Sequence, residues 1–284
     1  MNRLFALIIY LMFAPFIGAV LAGIDRKITA RMQSRVGPPL QQPIHDVFKL
    51  LKKENLVVRK SQNFYIVFFM VMLLFTGGLF FSGENILLVI FAFTLAEIFF
   101  VLGGFKASSP YSHVGSQREL IQIMAVEPVL IFMAIGAYLV TKSFNVADIV
   151  TFQKPLFIYM PGILIAFVYI LAVKLRKSPF DLSTSHHGHQ ELVKGITTEF
   201  SGKALAMIEV SHWLDSIIIM GFMYLFFASH PFLGIIAVSA IYTFVCLIDN
   251  VFARVKWQLT LKSCWIVAVL FGFTNIMVLF YILR

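Results

Sequence analysis

The amino-acid sequence predicts an all-α polytopic membrane protein, and three observations carry this prediction. The 284 residues are 60% hydrophobic and only 13% charged, which leaves too few polar residues to cover the surface of a soluble domain. The apolar runs are about 20 residues long, the length that a helix needs to cross a bilayer. These runs lack the strict alternation of membrane β-strands, so helices are expected to satisfy the backbone within lipid.

Eight apolar runs are predicted to cross the membrane, and together they make residues 1–284 a single membrane domain. In chain order they are Leu4–Ala22, Phe64–Phe81, Ile86–Leu102, Leu120–Val140, Leu156–Val173, Ala204–Ala228, Phe232–Asp249 and Cys264–Leu283. The first run could be mistaken for a signal peptide, but no clear cleavage motif follows it and a basic segment comes directly after it. We therefore expect a retained first span.

Basic residues divide the connecting segments into two classes. Segments 23–63, 103–119, 174–203 and 250–263 hold all but four of the 23 Lys and Arg residues. Because basic residues concentrate on the cytoplasmic side of membrane proteins, these segments are predicted to face inward and both termini to lie on the outer side. The net charge of +9 therefore reflects topology. Nucleic-acid binding is not indicated, since neither an aromatic platform nor a soluble fold accompanies the charge.

The first inward segment contains a predicted amphipathic helix, Pro43–Val58, that lies along the membrane surface. Its apolar residues recur at helical spacing, and charged residues lie between them. The apolar set is Ile44, Val47, Phe48 and Leu51, and the charged set is Asp46, Lys49, Lys52 and Lys53. The basic run before this helix, Asp25–Pro39, is either a topology signal alone or a rigid docking loop for a partner.

The sequence predicts no redox centre or catalytic residue within this chain. Its two cysteines, Cys246 and Cys264, fall in or at apolar runs, and neither a CxxC pair nor a four-cysteine set is present. An iron–sulfur cluster bound by this chain is therefore not expected. No Walker A, GxGxxG or GxSxG motif indicates a nucleotide site or a serine nucleophile.

Ionisable residues inside the spans are the main candidates for function, because a charge in lipid is costly. The candidates are Glu97 in the third span, Glu127 in the fourth, and Glu209, His212 and Asp215 in the sixth. Such a row could pass protons through water, whereas the alternative is that each acid forms a hydrogen bond or ion pair between helices. Two further acids, Glu119 and Asp249, stand at span ends and are expected to face the interface.

The inward stretch Ser178–Gly202 cannot be explained by lipid solvation. It holds three carboxylates and three histidines, which are Asp181, Glu191, Glu199, His186, His187 and His189. Histidine and glutamate are zinc ligands, but this spacing fits no standard zinc motif. Hydrogen bonds or subunit contacts explain the histidines better than a metal, so no metal ligand is predicted, and a metal site remains the less favoured alternative.

Three separated motifs resemble the subunit 1 family of complex I. They are DRKITARMQSRVGPP with HDVFKLLKKEN, then GGFKASSPYSHVGSQRELIQIMAVEP, then SPFDLSTSHHGHQELVKGITTEFSG, in the order in which the family carries them. The run STSHHGHQE places the resemblance in the hydrogenase branch, with the membrane subunits of Ech-type energy-converting nickel–iron hydrogenases and their relatives in formate hydrogenlyase and the CO-induced hydrogenase. Quinone-reducing members usually carry further glutamates where this chain has Ser185, His186 and His187.

The resemblance implies an ion-coupling path and a docking surface. The family's acidic path starts under a peripheral redox arm, and the matching positions here are Glu127, Asp181, Glu191 and Glu199. Reasoning from the residues alone adds Glu97, Glu209, His212 and Asp215 to this path. The positions that match the docking surface are Arg26, Arg31, Arg35, Lys53 and Arg118. The family's usual glutamate before Arg-Lys is a shorter carboxylate here, Asp25.

The resemblance also implies a role in a prokaryotic cell membrane. This chain would anchor a hydrogenase large subunit, an iron–sulfur small subunit, a ferredoxin-like subunit and an antiporter-like membrane subunit. A NiFe centre and [4Fe–4S] clusters would lie in those other subunits, and ferredoxin-driven hydrogen evolution would be linked to proton or sodium translocation. Two other functions stay open. One is the quinone-site subunit of a complex I-like respiratory dehydrogenase; the other is a self-contained transporter, against which the missing inverted repeat argues.

Overall fold

The structure is a computed structural model that describes residues 3–56, 60–180, 183 and 194–282. Asp181, Glu191 and the three predicted loop histidines lie outside the described residues. The α-helices are α1 (Arg3–Met32), α2 (Gln42–Leu51), α3 (Lys60–Phe81), α4 (Ile86–Lys106), α5 (Pro110–Thr141), α6 (Val146–Val150), α7 (Leu156–Tyr159), α8 (Pro161–Lys174), α9 (Gly202–Leu225), α10 (Pro231–Val251), α11 (Trp257–Val267) and α12 (Thr274–Ile282). A 3-10 turn, Gly195–Thr197, precedes α9, and a π-helical segment, Ala268–Phe273, joins α11 to α12. The all-α prediction is confirmed: no strand occurs within the described ranges, where the β-pairing is a single bridge between Asn85 and Asn145.

Seven of the predicted spans are helices long enough and apolar enough to cross a membrane. The fifth predicted span differs, because Pro161 breaks it into α7 and the 14-residue helix α8. Proline has no N–H to donate and its ring crowds the preceding turn, so the helix restarts at this residue. At 1.5 Å per residue, α8 is about 21 Å long, shorter than the ~30 Å hydrocarbon layer.

Asn275 on α12 satisfies backbone groups that this break exposes. Its side-chain oxygen accepts a hydrogen bond from the Ile163 N–H at 3.1 Å, and its amide donates to the Tyr159 carbonyl at 3.2 Å. Gly162 lets the π-helical segment before α12 approach, since a Cβ at that position would lie 2.5 Å from the Phe271 carbonyl oxygen. Backbone groups in lipid need internal partners, and one asparagine supplies two of them here.

The core is formed mainly by α3, α4, α5, α8 and α9. Phe93, Phe100, Phe167 and Phe222 are fully buried there, whereas α10 and the helices after it expose large apolar side chains on the molecular surface. α1 crosses α9 closely at Gly18, where a Cβ would lie 2.6 Å from Trp213 Cβ. The central helices therefore carry the packing that can hold buried charges.

The predicted surface helix is present as α2, although it is shorter than predicted. Asp46 on α2 receives a hydrogen bond from Arg26 on α1 at 2.6 Å and another from Gln42 at 3.0 Å. The Phe48 and Leu51 side chains are exposed on its outer face. α1 continues to Met32, well beyond the predicted end of the first span, so the first part of the basic run is helical.

Candidate functional site

Three basic residues, Lys174, Arg176 and Lys177, lie at the end of α8 and directly after it. The chain reverses its direction here, so their side chains reach two different sites. The Lys177 N–H donates to the Ala172 carbonyl and the Arg176 N–H to the Val173 carbonyl, each at 3.0 Å. This pair of hydrogen bonds is a Schellman motif, whose closing position needs a left-handed backbone and is usually glycine. Arg176 occupies it with φ 53°. The sharp reversal separates Lys177 from Lys174 and Arg176.

Lys174 and Arg176 form the centre of a buried network that we call the inner network; its other members are Glu97 on α4, Glu119 on α5, and His212 and Asp215 on α9. The Lys174 ammonium pairs with Glu97 and lies 3.9 Å from Asp215 Oδ1. It also lies 4.1 Å from the centre of the Phe93 ring, a cation–π contact. The helices α4, α8 and α9 thus meet at one lysine.

Arg176 ties the rest of the inner network together. Its guanidinium donates to Glu119 Oε1 at 2.8 Å, contacts His212 Nδ1 at 2.5 Å and lies 3.8 Å from Asp215 Oδ2. Burial acts to lower the pKa of Arg176, but Glu119 and Asp215 outweigh it and raise that pKa above its ordinary value. Three carboxylates surround two basic side chains, so the carboxylates of the inner network outnumber its cations by one.

Lys177 forms the centre of a second cluster, which we call the outer network, with Asp25 on α1 and Asp249 on α10. Its ammonium pairs with Asp25 and lies 3.3 Å from Asp249 Oδ2. The Ser178 N–H donates to Asp249 Oδ1 at 2.8 Å, and the Cys246 thiol donates to Asp25 Oδ1 at 3.2 Å. Burial acts to lower the pKa of Lys177, but the two carboxylates raise it above its ordinary value. The outer network fastens the segment after α8 to α1 and α10.

A cavity of about 1040 Å³ borders both networks. Residues of α1, α9 and α10 line it, together with Lys174 and the residues that follow α8. Its acidic, basic and histidine lining residues are Asp25, Arg26, Arg35, Lys174, Arg176, Lys177, Lys194, Glu209, His212, Asp215, Asp249 and Arg254. A much smaller void of about 10 Å³, enough for one water, lies on the other side of the inner network beside Glu97 and Glu119.

The structure brings together four of the residues that were assigned to the coupling path from the sequence. Glu97 and Asp215 belong to the inner network, together with His212, and Glu209 lines the cavity one helical turn away. Glu97 and Asp215 both form ion pairs with Lys174 on a neighbouring helix. Such pairs between helices are the alternative to a proton path that the sequence left open for these acids. Glu97 lies near the middle of α4, so the network reaches well into the spanning region.

The other two described path residues lie apart from the inner network. Glu127 on α5 is half-buried, and among the described residues no hydrogen bond or ion pair joins it. Glu199 is half-buried in the turn before α9. The expectation that Glu119 faces the interface is wrong: its side chain is buried, because α5 begins at Pro110 and places this residue inside the bundle.

The predicted docking residues lie on helices or loops of the segments that the sequence predicts to face inward. Arg31, Arg35 and Lys53 are exposed, and Arg26 is partly exposed while paired with Asp46. Arg118 on α5 is half-buried and has an interaction of its own. The Arg26 pair orders α2 against α1, so this residue also has a structural role.

Sequence reasoning missed Lys174, Arg176 and Lys177, because basic residues at the end of an apolar run were counted only as topology signals. A count of the acids within the spans against the basic residues near them would have identified these three residues. Acids within several spans need cations nearby, and Lys174 directly follows the predicted fifth span, with Arg176 and Lys177 close behind it. The backbone conformation of Arg176 could not be predicted either, because nothing in the sequence indicates an arginine with a positive φ.

Comparisons with known proteins agree with this architecture. Residues 5–280 match the family model described as NADH dehydrogenase. The chain is 31% identical over 217 residues to hydrogenase-4 component C of Escherichia coli strain K12, over 70% of this chain and 66% of that protein. It is 29% identical over 228 residues to a subunit of the NADH-quinone oxidoreductase of Geobacillus kaustophilus strain HTA426, over 72% of this chain and 68% of that protein. The aligned part therefore spans about two thirds of the length of these relatives.

A solved structure has the same fold. It is a chain of the membrane-bound sulfane sulfur reductase, an archaeal respiratory membrane complex, and it superimposes with a TM-score of 0.84 over 97% of this chain and 100% of that chain. The two sequences are 22% identical, so this likeness concerns the fold. The family match over nearly the whole length carries the assignment: the chain is a multi-pass membrane protein of the NADH dehydrogenase subunit 1 family.

Proposed function

We propose that this chain is the membrane-anchoring and coupling subunit of an energy-converting hydrogenase complex. It would hold a nickel–iron large subunit, an iron–sulfur small subunit and a ferredoxin-like subunit on its inward face, and an antiporter-like subunit beside it in the membrane. The NiFe centre and [4Fe–4S] clusters would belong to those partners. The similarity to hydrogenase-4 component C and the STSHHGHQE run support the hydrogenase assignment over other members of the family.

The inner network is the observation that carries the coupling role. Charges in the membrane interior are costly, and a chain that needed only stability could replace them with apolar residues. This network instead keeps one surplus carboxylate and borders a polar cavity that opens toward the inward face in the proposed topology. A redox step in a docked partner would change the field at this network, and the proton balance of its carboxylates would respond. Protons or sodium ions would then move in the neighbouring subunit.

Asp215→Asn tests this proposal, because it removes one charge from the inner network and retains the shape of the side chain. In proteoliposomes that contain the purified complex, we expect ion uptake per hydrogen evolved to fall at least tenfold, while hydrogen evolution continues when an ionophore collapses the gradient. Asp148→Asn is the matched control, since Asp148 is exposed and bonds only locally to Ser143 and Asn145. Equal coupling in both variants would contradict the proposal.

The acids inferred from the family resemblance have their own test. Glu127→Gln and Glu191→Gln are expected to uncouple or slow turnover while the complex still assembles. Normal ion-coupled activity in both variants would remove these positions from the path. The partners that co-purify with the tagged chain decide the assignment to a complex, and a nickel–iron large subunit is the expected result.

The cavity favours a second candidate function, a quinone site in a complex I-like dehydrogenase. Its volume of about 1040 Å³ lies at the upper end for small-molecule sites, and its walls combine apolar residues such as Leu21 and Trp213 with polar groups. Lipid extraction of the purified complex tests this candidate. Stoichiometric quinone, together with inhibition by quinone analogues, would replace the hydrogenase proposal.

A further inference from the structure

Lys174 stands between two carboxylates that border different spaces, and we propose that it alternates between Glu97 and Asp215 as a switch. The proposal rests on the coupling role proposed above and names the residue that performs it. When the ammonium is paired with Glu97, that carboxylate is closed off. When the ammonium moves to Asp215, Glu97 is free to take a proton.

The placement of the two spaces is the first observation. Lys174 and Arg176 line both the large cavity and the small void, whereas Asp215 lines only the cavity and Glu97 lines only the void. Lys174 therefore forms part of the wall between water that enters from the inward face and the acid deepest in α4. A residue in this position controls the passage between them by its own conformation.

The second observation concerns the Asp215 carboxylate, one oxygen of which lacks a hydrogen-bond donor among the described residues. Asp215 Oδ1 is buried and, among the described residues, has no hydrogen-bond partner. Lys174 Nζ lies 3.9 Å from this atom, about 1 Å beyond ordinary hydrogen-bond length. A buried carboxylate oxygen that lacks a partner is unfavourable, so the second position is attractive to the ammonium.

The third observation is the contrast between the two cations. Arg176 contacts both Glu119 and His212 at hydrogen-bond distance, and its planar guanidinium cannot leave one without losing alignment with the other. Lys174 is a point charge on a flexible four-carbon chain. The Phe93 ring beneath its ammonium, at 4.1 Å, attracts the charge without fixing its direction. Lys174 can therefore move while Arg176 holds Glu119 and His212 in position.

The proton balance of one cycle is simple. As the ammonium leaves Glu97, a hydronium ion from the water that reaches the site transfers one proton to the Glu97 carboxylate and becomes water. When the ammonium returns, Glu97 releases that proton to water on whichever side is then connected. One O–H bond forms and one breaks in each half-cycle, and Lys174 remains charged throughout.

A structural test is independent of transport. In Glu97→Gln, studied as the full chain with its partners in lipid, the first carboxylate is gone and we expect Lys174 Nζ to move within hydrogen-bond distance of Asp215 Oδ1, while Arg176 stays on Glu119. An ammonium that stays as far from Asp215 Oδ1 in this variant as the present 3.9 Å would overturn the switch. This result can be read even if the complex transports no ions, an outcome that would refute the proposed function alone.

A second variant separates a moving lysine from a static bridge. In Lys174→Arg, the longer, forked side chain can hold Glu97 and Asp215 at once, so we expect ion uptake per turnover to fall at least tenfold with no loss of thermal stability. A static bridge predicts normal uptake in this variant, which would contradict the switch. Lys177→Arg makes the same substitution in the outer network, and uptake within twofold of the unaltered protein is expected there.

Discussion

The inner and outer networks are each centred on a lysine that lies between two carboxylates, yet their surroundings differ. The side chains of Lys174, Glu97 and Asp215 are 5–7% exposed, whereas Lys177 is 11% exposed and its carboxylates Asp25 and Asp249 are 22% exposed. The carboxylates of the inner network come from helices in the core, and those of the outer network come from the peripheral helices α1 and α10. The two lysines nevertheless lie within one turn of chain of each other.

This difference assigns each network a role. Water and salt weaken charge pairs near the surface, so the outer network can hold the chain in place but changes little when one proton moves. The inner network is screened far less, and each added or removed charge there alters the energy of its neighbours strongly. The reversal at Arg176 makes this division possible, because it sends adjacent cations into environments of different polarity.

Removing the inner arginine is expected to give the largest effect on stability. Arg176→Ala leaves Glu119 and Asp215 buried with one fewer cation, and breaking a buried pair in this way costs about 3–5 kcal/mol. We expect a clear fall in the thermal unfolding midpoint of the detergent-solubilised protein. Addition of Glu119→Gln should recover part of that fall, since it removes one of the orphaned charges. Equal midpoints for Arg176→Ala and the unaltered protein would show that the inner network is hydrated.

The outer lysine tests the other side of the comparison. Lys177→Met leaves Asp25 and Asp249 with access to water, so we expect a loss of only about 1–2 kcal/mol, between the values for exposed and buried pairs. Because the pKa of Lys177 is raised, the stabilisation by its charge is complete below the ordinary lysine pKa and is lost as pH rises through the folded value. The gap in unfolding midpoint between the two proteins should therefore narrow only at strongly alkaline pH. A loss as large as that of Arg176→Ala would show that the two networks do not differ in hydration.

The backbone of Arg176 can be separated from its charge. Arg176→Gly removes the same guanidinium as Arg176→Ala but accepts a positive φ without strain, so it is expected to be more stable than the alanine variant by about 1 kcal/mol. The comparison of the two unfolding midpoints measures this. An alanine variant as stable as the glycine variant would mean that the reversal after α8 relaxes once the ion pairs are gone.

The fold was readable from the sequence because length and hydropathy determine helices in a membrane. Seven spans follow from that rule, and the amphipathic helix follows from the helical spacing of its apolar residues. Hydropathy alone does not show that Pro161 divides the fifth predicted span. The inner network was only half predicted. Glu97 and Asp215 are conspicuous in apolar runs, but their partners Lys174 and Arg176 lie 77 and 39 residues away from them in sequence, respectively, so the pairing depends on packing. Glu119 was misplaced because a helix that extends beyond the membrane has no apolar boundary to mark its start.

Breaking the ion pair between α1 and α2 is expected to give the smallest loss of stability of these variants. Asp46→Asn removes an ion pair whose two side chains are 38% and 43% exposed, so the loss should be about 0.2–1 kcal/mol and should decrease as salt rises. Burial acts to raise the pKa of Asp46, but its hydrogen bonds from Arg26 and Gln42 lower it below its ordinary value. The stabilisation is therefore present above the ordinary aspartate pKa and disappears as pH falls through the folded value. Unfolding midpoints of the two proteins should converge in acid, whereas a difference that persists there would place the stabilisation in the packing of α2 rather than in its charge.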